Sequence, residues 1–205
     1  MRVKIGDVRL FFDVEGAKLR PDGAKMREVR EPMLAFIADA TRHPEHPGKL
    51  VLSSTAAVSR QDRSLEMFER LGGVEAREAA RRFFENPVPE TMADYQRKCM
   101  PLYNRTRSGP ESVLRSVMNL ELMGDFFKRE SHTFNFLPDL GRIKCPTLIA
   151  AGELDPILPV ADSKDIAAAM TPGVAKLEVF ENAGHGAHRD QPDRFFKVLN
   201  EFILA

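Results

Sequence analysis

From residue 146 onward the chain alternates between two periodicities, and few folds accept that alternation. "PTLIAAG" (146–152) is an unbroken apolar run of strand length, and "VADSKDIAAAM" (160–170) has the composition of a helix. "KLEVFENA" (176–183) reads as a strand again, and "DRFFKVLNEFIL" (193–204) sets Phe195, Val198, Leu199 and Phe202 on one helical face. Strands separated by helical crossovers pair in parallel, and a parallel sheet buries its strands under helices. The fold class is therefore α/β, and ligands on such sheets meet the carboxyl ends of the strands.

The earlier chain supplies the rest of such a sheet. Residues 3–14, "VKIGDVRLFFDV", predict a hairpin around Gly6-Asp7, whereas the polar stretch 17–29 with its Pro and Gly predicts a loop or linker. Met33, Phe36, Ile37 and Ala40 fall at helical spacing over residues 31–40, with Pro32 in the first turn and "HPEHPG" as the stop. "KLVLSS" (49–54) is then a short buried strand. Residues 58–140 predict helices. Leu65, Phe68 and Leu71 mark one that closes at Gly72-Gly73, and Ala79, Ala80, Phe83 and Phe84 another that closes at Asn86-Pro87. Met92, Tyr95 and Cys99 mark a third, and Val113, Leu114, Val117 and Leu120 a fourth behind Pro110.

Composition excludes several classes of function. Thirty basic residues balance thirty acidic ones over 205 residues, so bulk charge recruits neither nucleic acid nor anionic lipid. No apolar run reaches the roughly 18 residues of a spanning helix, the N-terminus lacks a signal-peptide pattern, and a cytoplasmic location is expected. Cys99 and Cys145 are too few for a disulfide framework and are expected as reduced thiols. Partners are therefore sought in a pocket.

Two loops carry the chemistry. "GELDPILP" follows the strand at 146–152, and "NAGHGAH" follows the strand at 176–183. Asp155 by itself reads equally well as a turn or helix-cap residue, and His185 as a surface histidine. Together, a carboxylate and an imidazole at successive strand ends are the two supporting members of a catalytic triad: the acid orients the ring and stabilises its cation. Gly184 and Gly186 let the backbone bring that ring in close.

On these residues the chain resembles the α/β-hydrolase superfamily, and within it the proline iminopeptidase-like branch. "IKCPTLIAAGELDPILP" and "FENAGHGAHRDQPDRFFKVLNEFI" are similar to its C-terminal third, and "ATRHPEHPGKLVLSST" to the end of its nucleophile helix and the following strand. The resemblance implies that Asp155 and His185 are the catalytic acid and base. It implies a core formed by residues 1–57 and 141–205, shortened near 26–37, and a helical lid at 58–140. The activity it implies is serine hydrolysis of peptide, amide or ester bonds, with no cofactor and no metal.

The sequence departs from that pattern at one decisive place. The family's serine sits in a G-x-S-x-G elbow, and the chain contains no such motif. Where the elbow would fall the sequence reads "MREVREPMLAF", with Arg30 near the serine's position. The oxyanion loop and three central strands are missing too, as if one deletion joined the region of Met26 to that of Ile37. The expected fold is thus a shortened, mostly parallel sheet of about five strands, with the hairpin docked directly on "KLVLSS". Impaired catalysis is expected.

Other residues are weaker candidates. Ser53 and Ser54 end a sheet strand, where hydroxyls usually bond local backbone; Ser131 adjoins His132 without a strained turn. The pairs His43/His46 and His185/His188, with Glu153 and Asp155, have metal-ligand residue types at loose spacing, and no metal is expected at them. Met67, Phe83, Phe84, Met100, Met118, Met123, Phe126 and Phe127 read as lid core rather than pocket lining. The expected partners are a small molecule or short peptide under the lid and, through an exposed sheet edge, a second copy of the chain.

Overall fold

The computed structural model describes residues 2–5, 8–11, 18–22, 25–29, 35–106, 129 and 131–205. Its centre is a three-stranded parallel sheet in the order β5-β6-β7, made by β5 (Leu50–Ser53), β6 (Thr147–Gly152) and β7 (Ala175–Phe180). Leu50 stands opposite Thr147, and Thr147 opposite Ala175. Every residue of β6 is buried, as its unbroken apolar run requires of a central parallel strand.

Both faces of this sheet are covered. Ile149 joins a cluster with Leu50 and Leu52 of β5, Ile37 and Ala40 of α1 (Ala35–Arg42), and Ile166 of α4 (Val160–Ala169). Ala150 joins Phe180, Ala183 and Ala187, closed by Phe195 of α6 (Pro192–Leu204), with Val198 and Leu199 packed beside it. The expected helical faces at Ile37/Ala40 and Phe195/Val198/Leu199 are the faces that pack.

Between β5 and β6 the chain runs through α2 (Gln61–Glu85) and α3 (Pro89–Lys98). α2 breaks at Gly73, whose φ of 75° is open to glycine at no steric cost, so the expected helix end at Gly72-Gly73 appears as a kink between two helical halves. Phe68, Phe83 and Phe84 form a core with Tyr95 and Cys99, which agrees with the core reading of Phe83 and Phe84; Met100, read the same way, is exposed, and Met118, Met123, Phe126 and Phe127 lie outside the described residues. Arg63 donates to Asp162 and Asp165 at 2.7 and 2.6 Å, and Ser64 Oγ donates to the Pro156 carbonyl at 3.0 Å. The start of α2 is thereby fastened to α4 and to the loop after β6. The fourth expected helix, around Val113–Leu120, lies outside the described residues.

Two expectations fail at the N-terminal side. The hairpin is present as β1 (Arg2–Ile5) against β2 (Val8–Phe11), but it forms a sheet of its own. Among the described residues the parallel sheet therefore has three strands rather than about five. Residues 17–29 are not a loop: β3 (Lys18–Asp22) pairs antiparallel with β4 (Lys25–Val29), and Asp22 stands opposite Lys25. The Asp-Gly pair at 22–23 is a hairpin signal in the sequence in its own right. Pro21 is tolerated because a strand in a two-stranded ribbon always has one unpaired edge. Among the described residues no helix is long and apolar enough to cross a membrane.

Candidate active site

Asp155 and His185, set by sequence on different strand-end loops, meet. Asp155 follows β6 and is fully buried. Its Oδ1 accepts the backbone N–H groups of Ile157 and Leu158, both at 2.9 Å, and its Oδ2 lies 2.9 Å from His185 Nδ1. One oxygen thus accepts the amides of the turn, and the other meets the imidazole. A carboxylate accepts, so the proton of this bond sits on Nδ1. The His185 side chain is 30% exposed, so the ring bridges a buried acid and the accessible side of the loop.

Glycine makes the approach possible. A side chain at Gly152, the last residue of β6, would place its Cβ 1.9 Å from the Gly184 carbonyl oxygen, and one at Gly184 would lie 2.0 Å from the Tyr103 carbonyl oxygen. Gly184 is therefore required by backbone packed against backbone.

The His185 loop is held by a segment far away in sequence. His185 N–H donates to the Tyr103 carbonyl at 2.6 Å, and Gly186 N–H donates to Asn104 Oδ1 at 2.7 Å. Asp190, at the end of the short helix α5 (Ala187–Asp190), accepts N–H groups of Gly184 (2.7 Å), Thr106 (2.8 Å) and Arg105 (3.1 Å). Burial works against the charged form of Asp190, but these three amides prevail and hold its carboxyl below the ordinary range. The Tyr103 ring meets His185 edge to face at 5.4 Å, and the hydroxyls of Tyr103 and Tyr95 hydrogen-bond each other. Burial raises both phenols above their usual range, so they stand as neutral groups beside the dyad. Sequence reasoning missed Tyr103, Asn104 and Asp190. Among them, only Asp190 offered a local signal, one turn beyond "GHGAH".

The other candidates fall apart as a cluster. Ser53 is exposed. Ser54 has a φ of 46° and donates its hydroxyl to the His185 carbonyl at 2.5 Å, so its bond spans the fold rather than staying local. Ser131 is buried, and its carbonyl accepts from Ser59 Oγ. Glu153 Oε2 accepts Asn182 N–H, and His188 packs edge-on against Phe195. Cys99 and Cys145 are buried and free, and burial pushes the Cys99 thiol up to about 12, which makes it a poor nucleophile.

A parallel sheet with helices on both faces and an acid–histidine pair at successive strand ends defines an α/β-hydrolase arrangement. The family model described as "Alpha/beta hydrolase family" matches residues 22–198, and the chain belongs to that family. It is 31% identical over 106 residues to proline iminopeptidase PfmaB of Pestalotiopsis fici, a match covering 50% of this chain and 37% of that protein. It is 25% identical over 126 residues to monoacylglycerol lipase ABHD6 of Rattus norvegicus, covering 58% of this chain and 36% of the lipase. Among solved structures, proline iminopeptidase of Mycobacterium smegmatis superposes with a TM-score of 0.64 at 20% identity, covering 83% of this chain and 61% of that one. An α/β-fold family hydrolase of Bacillus anthracis str. Sterne superposes with a TM-score of 0.58 at 17% identity, covering 82% and 63%. The chain spans little more than a third of the curated relatives it matches and under two thirds of the solved ones.

Proposed function

We propose that this chain carries the acid–base half of a serine-hydrolase apparatus, with Asp155 as the orienting acid and His185 as a general base that has no elbow serine to serve. The observation that carries the reading is the 2.9 Å contact between His185 Nδ1 and a fully buried carboxylate. With the proton fixed on Nδ1, Nε2 is the basic nitrogen, and the carboxylate stabilises the imidazolium that forms when the ring takes a proton. Family membership supports hydrolytic chemistry, and the names of the relatives point to peptide or ester bonds. The lack of a G-x-S-x-G motif argues against unassisted turnover, because losing the nucleophile costs on the order of a millionfold. In this reading residues 58–140 form the lid, residues 1–57 and 141–205 the core, and the ligand is a small molecule or short peptide beneath the lid. A second copy pairs along the β5 edge.

The test is hydrolysis of a p-nitrophenyl ester and a prolyl arylamide by the purified chain. The expected rates equal those of His185→Ala and of buffer. Turnover at enzymatic rates, abolished in His185→Ala, would overturn the reading.

One observation favours a second reading, in which Ser54 is a substitute nucleophile. Its φ of 46° is the kind of strained backbone a nucleophile turn uses, and its hydroxyl already reaches the His185 segment. Fluorophosphonate labelling mapped to Ser54 and lost in His185→Ala selects this reading; an unlabelled chain selects the first.

A further inference from the structure

The turn after α1 gathers metal-ligating side chains that the hydrolase reading does not use. Its backbone is well determined by hydrogen bonds. His43 N–H donates to the Asp39 carbonyl at 2.7 Å, extending the helix by one step, and His46 N–H donates to the His43 carbonyl at 2.9 Å. The second bond closes a four-residue turn with Pro44 in the second position, where its ring pre-sets φ. A turn of this kind brings its first and fourth residues side by side. The His43 and His46 rings accordingly lie 4.7 Å apart, centroid to centroid, at 15° to each other.

Carboxylates flank the two rings. Glu45 Oε1 is 3.9 Å from His43 Nδ1 and 3.7 Å from His46 Nε2, while Asp39 Oδ1 is 3.5 Å from His46 Nδ1. One ligand atom from each of His43, Glu45 and His46 lies within 4.8 Å of the others. We propose that this turn is a surface chelate for a divalent transition-metal ion, with His43, Glu45 and His46 as ligands and Asp39 as the carboxylate that orients His46.

The distances carry the argument. Separations of 3.7 and 3.9 Å are too long for hydrogen bonds, which end near about 3.2 Å. Ligands at about 2.0–2.2 Å from a tetrahedral ion stand roughly 3.4 Å from one another. Glu45 therefore needs to close on each imidazole by about half an ångström or less, and the two imidazole nitrogens, which lie within 4.8 Å, by at most about 1.4 Å. The rings must also leave their parallel stack, since an ion lies in the plane of each imidazole that binds it. Side chains 53% and 56% exposed have room to turn. His46 has the two-sided arrangement of a metal ligand, with Nε2 toward the shared centre and Nδ1 toward the Asp39 carboxylate 3.5 Å away, which would fix the tautomer on closing to hydrogen-bond distance. The carbonyl end of α1 adds a favourable dipole for a cation. Two imidazoles select Zn2+, Ni2+ or Cu2+ over Mg2+ and Ca2+, and three protein ligands leave a position open to water or an outside ligand.

The experiment uses the whole chain, purified without an affinity tag, and titrates it with zinc sulfate in competition with a chromophoric zinc indicator. One ion per chain is expected, unaffected by excess Mg2+. His43→Ala and His46→Ala abolish binding, Asp39→Asn weakens it about tenfold, and His185→Ala leaves it unchanged. No zinc bound, zinc retained by both turn variants, or zinc lost in His185→Ala overturns the proposal.

Discussion

Asp155→Ala tests how the loop after β6 is held. The parent carboxylate is fully buried and makes three contacts: two N–H groups accepted by Oδ1, and His185 Nδ1 at Oδ2, all at 2.9 Å. A hydrogen bond to a charged acceptor is worth about 1.5–3 kcal/mol, and a buried donor left unsatisfied costs about 1–3 kcal/mol. Because the three bonds share one acceptor group they do not add, so a loss of about 3–5 kcal/mol is expected, against a total stability of about 5–15 kcal/mol for a domain. Asp155→Asn keeps an oxygen for the turn amides and loses the charge. His185→Ala breaks a single bond at a partly exposed ring, so each of these should cost about 1–2 kcal/mol. Urea unfolding followed by far-UV circular dichroism measures all three. An Asp155→Ala chain no less stable than His185→Ala would refute the view that one oxygen builds the loop while the other aims the ring.

Gly184→Ala puts a methyl 2.0 Å from the Tyr103 carbonyl oxygen and should lower stability by about 1–3 kcal/mol in thermal melts, whereas Gly48→Ala, with open space around its Cβ, should change it by less than about 0.5 kcal/mol. Equal melting temperatures for the two variants would contradict the backbone-contact account. Asp190→Asn should be less stable than the parent at neutral pH. A carboxyl held low in the folded chain stabilises it above the ordinary carboxylate range, and this contribution fades as pH falls through that lowered value. Denaturant titrations should therefore show the gap between variant and parent closing toward acid, and a gap that widens there would reverse the sign.

Where residues repeat with the period of their own element, the sequence was sufficient. The run "TLIAAG" could only be a strand buried on both faces, and Phe195, Val198 and Leu199 could only be one helical stripe. Asp155 and His185 were legible because strand ends in a parallel sheet converge. The β3-β4 hairpin was overlooked despite its Asp22-Gly23 signal, since a two-stranded ribbon is held by backbone hydrogen bonds and shows no apolar alternation to support that signal. The sheet's loss of the β1-β2 hairpin was not legible, because no local pattern says which edge a strand pair will join. Asp190 was only partly within reach: it accepts the Gly184 amide six positions before it, but its other two amides lie 84 and 85 positions away. Ser54 was misjudged because its partner, the His185 carbonyl, lies 131 positions along the chain.

The stitching of Tyr103–Thr106 to the His185 segment has a consequence for anyone who would remodel this protein. The stretch between β5 and β6 is no interchangeable cap, because its residues 103–106 donate and accept the bonds that keep the imidazole in place. A chimera that imports a foreign covering must also import residues 103–106, or redesign Asn104 and Asp190 as a matched set. Grafts cut upstream of Tyr103 should keep the ring's geometry, and those cut downstream of Thr106 should lose it.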